Sequence, residues 1–264
     1  MSVDIQMALD LTTRIVACGL AVSALELLSI RHHFGREGVF NFGTISVFRR
    51  QLVVLRTLDR YIVFLLSLQF AASIALVALG PFSLLGRLLL ALAFLATMAA
   101  RWRRHIGGDG AEQMALLVLA AVGLALLPWP GSDRMVAATT FIAAQAGLSY
   151  LTAGVAKLIS PIWRDGSALP AILSTYNHGH PWAAGFLHQH TKLAQLLCWS
   201  VITFECLFPV LVLGPSWLAV SAFICGFAFH AGCAVLMGLN GFLWSFPATY
   251  PCVMAAVAYW KVSV

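Results

Sequence analysis

Residues 193–213 read LAQLLCWSVITFECLFPVLVL, Gly214-Pro215 follows, and residues 216–238 read SWLAVSAFICGFAFHAGCAVLMG. Crossing a hydrocarbon layer about 30 Å thick takes about 20 helical residues, and each run is that long. A two-residue link between them leaves room only for an antiparallel helical hairpin. This stretch therefore enters a membrane and returns, and it sets the reading of the rest of the chain.

Working outward, six further apolar segments appear. They cover about 8–30, interrupted by Arg14 and Glu26; 61–80, closed by Gly80-Pro81; 84–100, ahead of Arg101-Trp102-Arg103-Arg104; 112–128, ending at Pro128-Trp129-Pro130-Gly131; 135–159; and 242–260, ended by Lys261. Glycine and proline punctuate the boundaries where helices stop. Residues 31–60 carry Arg31, Arg36, Arg49, Arg50, Arg56 and Arg60 among Val, Leu and Phe, a pattern that predicts an amphipathic helix at the interface. The expected fold class is an all-α integral membrane protein: a polytopic helical bundle of about eight transmembrane segments plus an interfacial amphipathic helix, forming a single domain over 1–264.

Composition agrees. Of 264 residues, 61% are hydrophobic and 10% charged, against roughly 45–50% and about 25% in soluble chains; the mean hydropathy is +0.89. Sixteen Lys+Arg against ten Asp+Glu give a net charge of +6, which reads as loops facing anionic lipid. Nucleic acid is not expected as a partner, because no basic stripe is interleaved with aromatics. Cys18, Cys198, Cys206, Cys225, Cys233 and Cys252 sit in apolar runs without CxxC spacing and read as packing residues. Asp4 and Asp10 precede the first apolar run, so no cleaved signal peptide is expected. The 31–60 and 101–111 loops hold most of the loop Lys and Arg, which puts them in the cytoplasm and, for eight spans, both termini outside.

With charge so scarce, ionisable residues inside spans are the candidates for function, since each is costly in lipid and faces the bundle interior. Lys157, Glu205, His230 and Glu26 are such residues. Tyr150, Gly154 and Lys157 fall at i, i+4 and i+7, one stripe of a helix, with Gly147 a turn earlier. Small residues there admit a second helix and direct the hydroxyl and ammonium into one crevice. Where water is scarce the ammonium loses favour to the free amine, so Lys157 can serve as a base; the competing reading is a lysine that snorkels to the headgroups. Glu205, four residues before Pro209, and His230, flanked by Gly226 and Cys233, lie on the two arms of the hairpin. They can meet inside the bundle, either as an interhelical hydrogen bond that fixes packing or as a proton-handling pair. The 160–191 loop carries Trp163, Arg164, Asp165, His178, His180, His188 and His190. Imidazoles two residues apart on a helix diverge by about 200°, so headgroup-facing histidines are expected and no metal site.

The block Tyr150-Leu-Thr-Ala153-Gly154-Val-Ala-Lys157-Leu158-Ile-Ser-Pro-Ile-Trp163-Arg-Asp165-Gly166 resembles the signature of the HTTM (horizontally transferred transmembrane) family, the membrane domain shared with vitamin K-dependent gamma-glutamyl carboxylase. There a helix ending Ala-Gly-x-x-Lys-Leu is followed by an x-Trp-x-x-Gly loop. Weaker echoes are Gly107-Gly108-Asp109-Gly110, and His230 followed by Gly238 and Gly241-Phe242-Leu243-Trp244.

The resemblance implies that Lys157 matches the lysine that deprotonates reduced vitamin K in the carboxylase, with His230 and Glu205 beside it. It also implies that Tyr150, Gly154, Trp163 and Gly166 line a ligand pocket. The expected ligand is a quinone or another hydrophobic molecule, or a peptide delivered through the membrane. The carboxylase also has a large lumenal domain beyond its bundle and a functional histidine near the position of Glu112; neither is found here, so peptide glutamate carboxylation is not expected. Short bacterial members of the family imply peptide maturation with a protein partner, in the bacterial inner membrane among membrane lipids. The alternatives are a non-catalytic accessory subunit of a larger membrane complex, and a proton-coupled transporter, which the lack of an internal repeat disfavours.

Overall fold

The structure is a computed structural model that describes residues 4–35, 38, 40–41, 57–104 and 109–263. Among these the regular structure is entirely helical. The principal helices are α1 (Ile5–Ser29), α2 (Ile62–Leu79), α3 (Leu84–Arg104), α4 (Gly110–Leu126) and α5 (Ser132–Ile159). They are followed by the short α6 (Pro161–Arg164), α7 (Ala168–Leu173) and α8 (Pro181–Gln189). Then come α9 (Thr191–Leu213), α10 (Ser216–Met237), α11 (Asn240–Ser245) and α12 (Tyr250–Ser263). The amphipathic helix expected over 31–60 falls largely on 42–56, outside the described residues; at its edges, Arg31–Phe34 form a 3-10 turn and residues 57–60 are helical.

Among the described residues, seven helical stretches are long and apolar enough to cross a membrane: α1, α2, α3, α5, α9, α10 and the combined run Asn240–Val262. The chain is thus a multi-pass all-α membrane protein. Helix α4, with 17 residues, is shorter, about 26 Å at 1.5 Å per residue. It nonetheless runs antiparallel to α3 over the whole of that helix. Glu112 at its start is ion-paired with Arg101, at 3.1 Å, and with Arg104. At the other end Arg87, in the first turn of α3, donates to the Pro128 carbonyl at 2.7 Å.

The chain divides into two compact units, Gln6–Ala138 and Thr139–Val264 with Met1–Ile5. In the first, polar side chains tie helices together where lipid offers no partners. Arg14 on α1 pairs with Asp10 at 2.7 Å and also donates to the carbonyls of Val77 and Ala78, capping the C-terminus of α2. The amide of Gln69, on α2, donates to the Leu20 carbonyl of α1 at 3.1 Å. Arg103 is fully buried: its Nε donates to Asp59 at 2.8 Å and its guanidinium lies 5.8 Å from the centre of the Phe34 ring.

The second unit is built on α5, α9, α10 and α12. The α9–α10 hairpin turns at Gly214-Pro215 as its sequence requires, and Lys261 of α12 donates to the Gly214 carbonyl at 2.8 Å. Pro209 lies inside α9, which continues to Leu213. Two of the three short helices, α6 and α8, start where the sequence supplies proline at the first position, with Ser160 before Pro161 and His180 before Pro181. Proline suits that position because the amide it lacks would be unbonded there. The imidazole Nδ1 of His180 also caps α8 by accepting from the Ala183 amide.

Candidate functional site

Helix α5 brings Tyr150, Gly154 and Lys157 onto one face, and α9 packs against that face at Glu205 and Cys206. The contact is very close. A Cβ on Gly154 would lie 2.7 Å from the Cys206 amide nitrogen and 2.9 Å from the Glu205 Cβ, so the two backbones approach as only glycine permits. Gly147 faces Pro209 one helical repeat away. The approach lets the Lys157 ammonium grip both oxygens of Glu205, at 2.9 Å to Oε1 and 2.7 Å to Oε2. The Glu205 side chain is 5% exposed and the Lys157 side chain 20%. The pair is therefore closed on the carboxylate side and open on the ammonium side.

The turn after α5 holds Trp163 over this opening, with the Lys157 Nζ 5.2 Å from the centre of a Trp163 ring. Its conformation is locked from α9. Gln195 Nε2 and Trp199 Nε1 each donate to the Arg164 carbonyl at 3.1 Å, and Gly166, at φ +88°, lies so close to Gln195 that a Cβ would be 2.5 Å from its Cα. Asp165, fully solvent-facing, accepts from the Ser167 hydroxyl at 2.6 Å and the Ser167 amide at 2.9 Å; these bonds hold its carboxyl below the ordinary carboxylate range.

A second polar cluster lies two turns back along α5, at Tyr150. The Tyr150 hydroxyl contacts His230 Nε2 at 2.7 Å and the Tyr250 hydroxyl at 2.9 Å, joining α5, α10 and α12. Phenyl rings enclose it: Phe208 and Phe204 pack on Tyr150, while Phe246 stacks on the His230 imidazole. Gly226, a turn before His230, accommodates the Tyr250 hydroxyl, which would be 2.2 Å from a Cβ there.

Thus Lys157, Glu205, Gly154, Trp163 and Gly166 come together at one end of α5, and Tyr150 and His230 at the neighbouring cluster. Glu205 and His230 do sit on facing arms of the hairpin, yet each is bonded to α5: the carboxylate to Lys157, the imidazole to Tyr150. Three of the loop histidines make local contacts. His180 caps α8, His188 contacts the Ser174 hydroxyl at 3.3 Å, and the His190 Nδ1 reaches the Phe186 carbonyl at 2.9 Å. No group of three His, Cys, Asp or Glu that could hold a metal ion occurs among the described residues. Sequence reasoning missed Tyr250, Gln195 and Trp199. Tyr250 left a usable signal, a hydroxyl inside an apolar run, because a buried phenol finds a hydrogen-bond partner; Gln195 and Trp199 left none, since α9 is apolar on several faces.

Comparison with protein-family models, with curated proteins and with solved structures returns no match. What the chain can be said to be thus rests on its helices, and it is a multi-pass membrane protein with a buried lysine–glutamate pair in its second compact unit.

Proposed function

We propose that this protein is a membrane enzyme of HTTM type, or the membrane subunit of one, in a bacterial inner membrane. In this reading the Lys157–Glu205 pair is the acid–base centre, and the substrate is a hydrophobic, quinone-like molecule or a membrane-delivered peptide. The supporting observation is the pair itself, closed around the carboxylate and open at the ammonium. In a medium of low dielectric constant, passing a proton from the ammonium to the carboxylate removes two charges at once and lowers the cost of burying them. The resulting free amine takes a proton from an acidic hydroxyl of the substrate. The anion so formed then lies beside an ammonium, and Glu205, now neutral, gives its proton to the departing product, which restores the ammonium–carboxylate pair. Trp163 offers an aromatic face beside the reacting nitrogen, and Gly154 and Gly166 act by letting α9 and the turn close on it.

The test is turnover in liposomes containing a reduced naphthoquinone under oxygen, with quinone epoxide measured by mass spectrometry. The wild type forms epoxide, while Lys157→Met and Glu205→Gln lose at least about a hundredfold, the usual contribution of a positioned base. Undiminished turnover by a folded Lys157→Met protein overturns the role of the lysine.

A second reading has an observation of its own. Both Glu205 oxygens and the His230 Nε2 are bonded within the protein, as in a polar network that fixes helix packing. Under that reading the chain is an accessory subunit, it co-purifies with other membrane proteins, and the same variants change its thermal stability without changing any turnover of the assembly.

A further inference from the structure

At the end of α5 remote from Lys157, two apolar grooves meet at one cation. The larger, about 620 Å³, runs between α5, α9 and α12 past Ala144, Leu213, Ala256 and Trp260. The smaller, about 260 Å³, runs between α9, α10 and α12 past Ala219, Phe223, Met254 and Ala258. Val212, Val253, Val257 and Lys261 border both, so the grooves are separated only by the α9–α12 contact and converge at the Lys261 end. Among the described residues, Lys261 is the single charged side chain lining either one.

Its surroundings have the chemistry of a membrane interface. Trp260 and Tyr259, both partly exposed, precede it, as amphipathic rings do at headgroup level. The Trp260 indole donates to Thr140 on α5 at 3.1 Å, and Lys261 donates to the Gly214 carbonyl in the α9–α10 turn at 2.8 Å. Those two bonds clamp the end of α12 against both neighbours and hold the lysine at the junction. An ammonium has three N–H donors, so two remain for another acceptor.

We propose that this junction is a binding site for one diacyl phospholipid with an anionic headgroup, its phosphate on Lys261 and one acyl chain in each groove. Charge complementarity selects the occupant: two apolar channels running side by side along α12 from a single cation match two acyl chains running side by side from a single anionic head. A transmembrane helix from another protein would fill one groove and leave the cation facing hydrocarbon, which is costly. The site lies about 26 Å of helix from Lys157, counting the seventeen residues from Thr140 at 1.5 Å each, so it is independent of the proposed chemistry.

Native mass spectrometry of the full-length protein in detergent, titrated with phosphatidylglycerol and with phosphatidylcholine of the same acyl chains, tests this. The expected result is a single retained phosphatidylglycerol, preferred by about fivefold, the effect of one basic residue near an anionic headgroup. Lys261→Gln should abolish the preference while leaving some binding of both lipids. Ala144→Phe, an exposed position in the larger groove, should weaken both lipids alike; the two variants differ in readout, and a fold defect in one does not affect the other. Equal retention of the two lipids by the wild type, or an undiminished preference in folded Lys261→Gln, overturns the proposal. So does a dimer that Ala144→Phe dissociates, which would put a second copy in the groove instead.

Discussion

Lys157 and Glu205 satisfy each other, and neither has another charged partner of opposite sign within bonding distance among the described residues. Removing one member leaves a charge in a medium that cannot solvate it, at a cost of about 3 kcal/mol for a buried pair. Glu205→Leu should therefore lower the thermal unfolding temperature in detergent markedly, and Lys157→Met combined with Glu205→Leu should recover most of the loss. A double variant no more stable than Glu205→Leu would mean that the two residues are not energetically coupled. At the aqueous edge, Asp165 makes a prediction of opposite character. Its carboxyl is held down by Ser167, so the folded turn favours the ionised form. The sign follows: this contribution is present above the ordinary carboxylate range near pH 4 and is lost as pH falls through the depressed folded value. Carboxyl-detected NMR should find Asp165 titrating below the ordinary carboxylate range, and Ser167→Ala should raise it toward that range.

Helix-to-helix distance is decided by glycines whose role spacing only partly reveals. The 150–154–157 stripe was readable as a face, and Gly154 as a place where another helix could approach; that the other helix is α9, and that it meets Gly154 at Cys206, depends on the tertiary fold. Gly154→Ala should force α9 away, destabilising by about 1–3 kcal/mol as overpacking does and lengthening the Lys157–Glu205 bonds. Gly185→Ala in α8 is the contrast, since nothing lies within 4 Å of a Cβ there; it should be neutral or stabilise by about 0.5–1 kcal/mol through helix propensity. Thermal unfolding of the two variants side by side distinguishes contact from composition. Gly166 belongs with Gly154: its positive φ and its contact with Gln195 both exclude a side chain, so Gly166→Ala should loosen the turn that holds Trp163. Indole fluorescence from a protein retaining only that tryptophan would report a more water-exposed environment.

At the scale of the whole chain, the number of crossings among the described residues turns on α4, whose 17 residues fall below the usual spanning length. Its first turn is pinned to Arg101 and Arg104 and the residues beyond its end to Arg87, opposite ends of α3, so it traverses the same layer as its neighbour. Cysteines introduced at Ser83 and Ser132, in a background freed of native cysteines, should react with a membrane-impermeant maleimide from one side. A cysteine at Gln113 should react from the other. Labelling of Ser132 from the same side as Gln113, with Ser83 on the other, would remove α4 from the count of crossings. The apolar runs and their breaks were legible because hydrocarbon demands long uncharged helices that satisfy their own backbone groups, a constraint written into consecutive residues.

By itself, then, the sequence determined that this protein lies in a membrane, where its long apolar runs lie, and which few ionisable residues need explaining; the three short helices within 160–191, and the division of the last apolar run into α11, a 3-10 turn and α12, were left to the tertiary structure. Partners were another matter. Glu205 and His230 could be placed on facing arms of one hairpin, but which of them meets Lys157 and which meets Tyr150 was settled only when α5 packed against that hairpin, and Tyr250 joined them from a helix a hundred residues along the chain from Tyr150. The physical reason is that polar atoms in hydrocarbon must find one another across helices, and rotation about a helix axis, which selects among possible partners, is fixed by packing between segments distant in sequence.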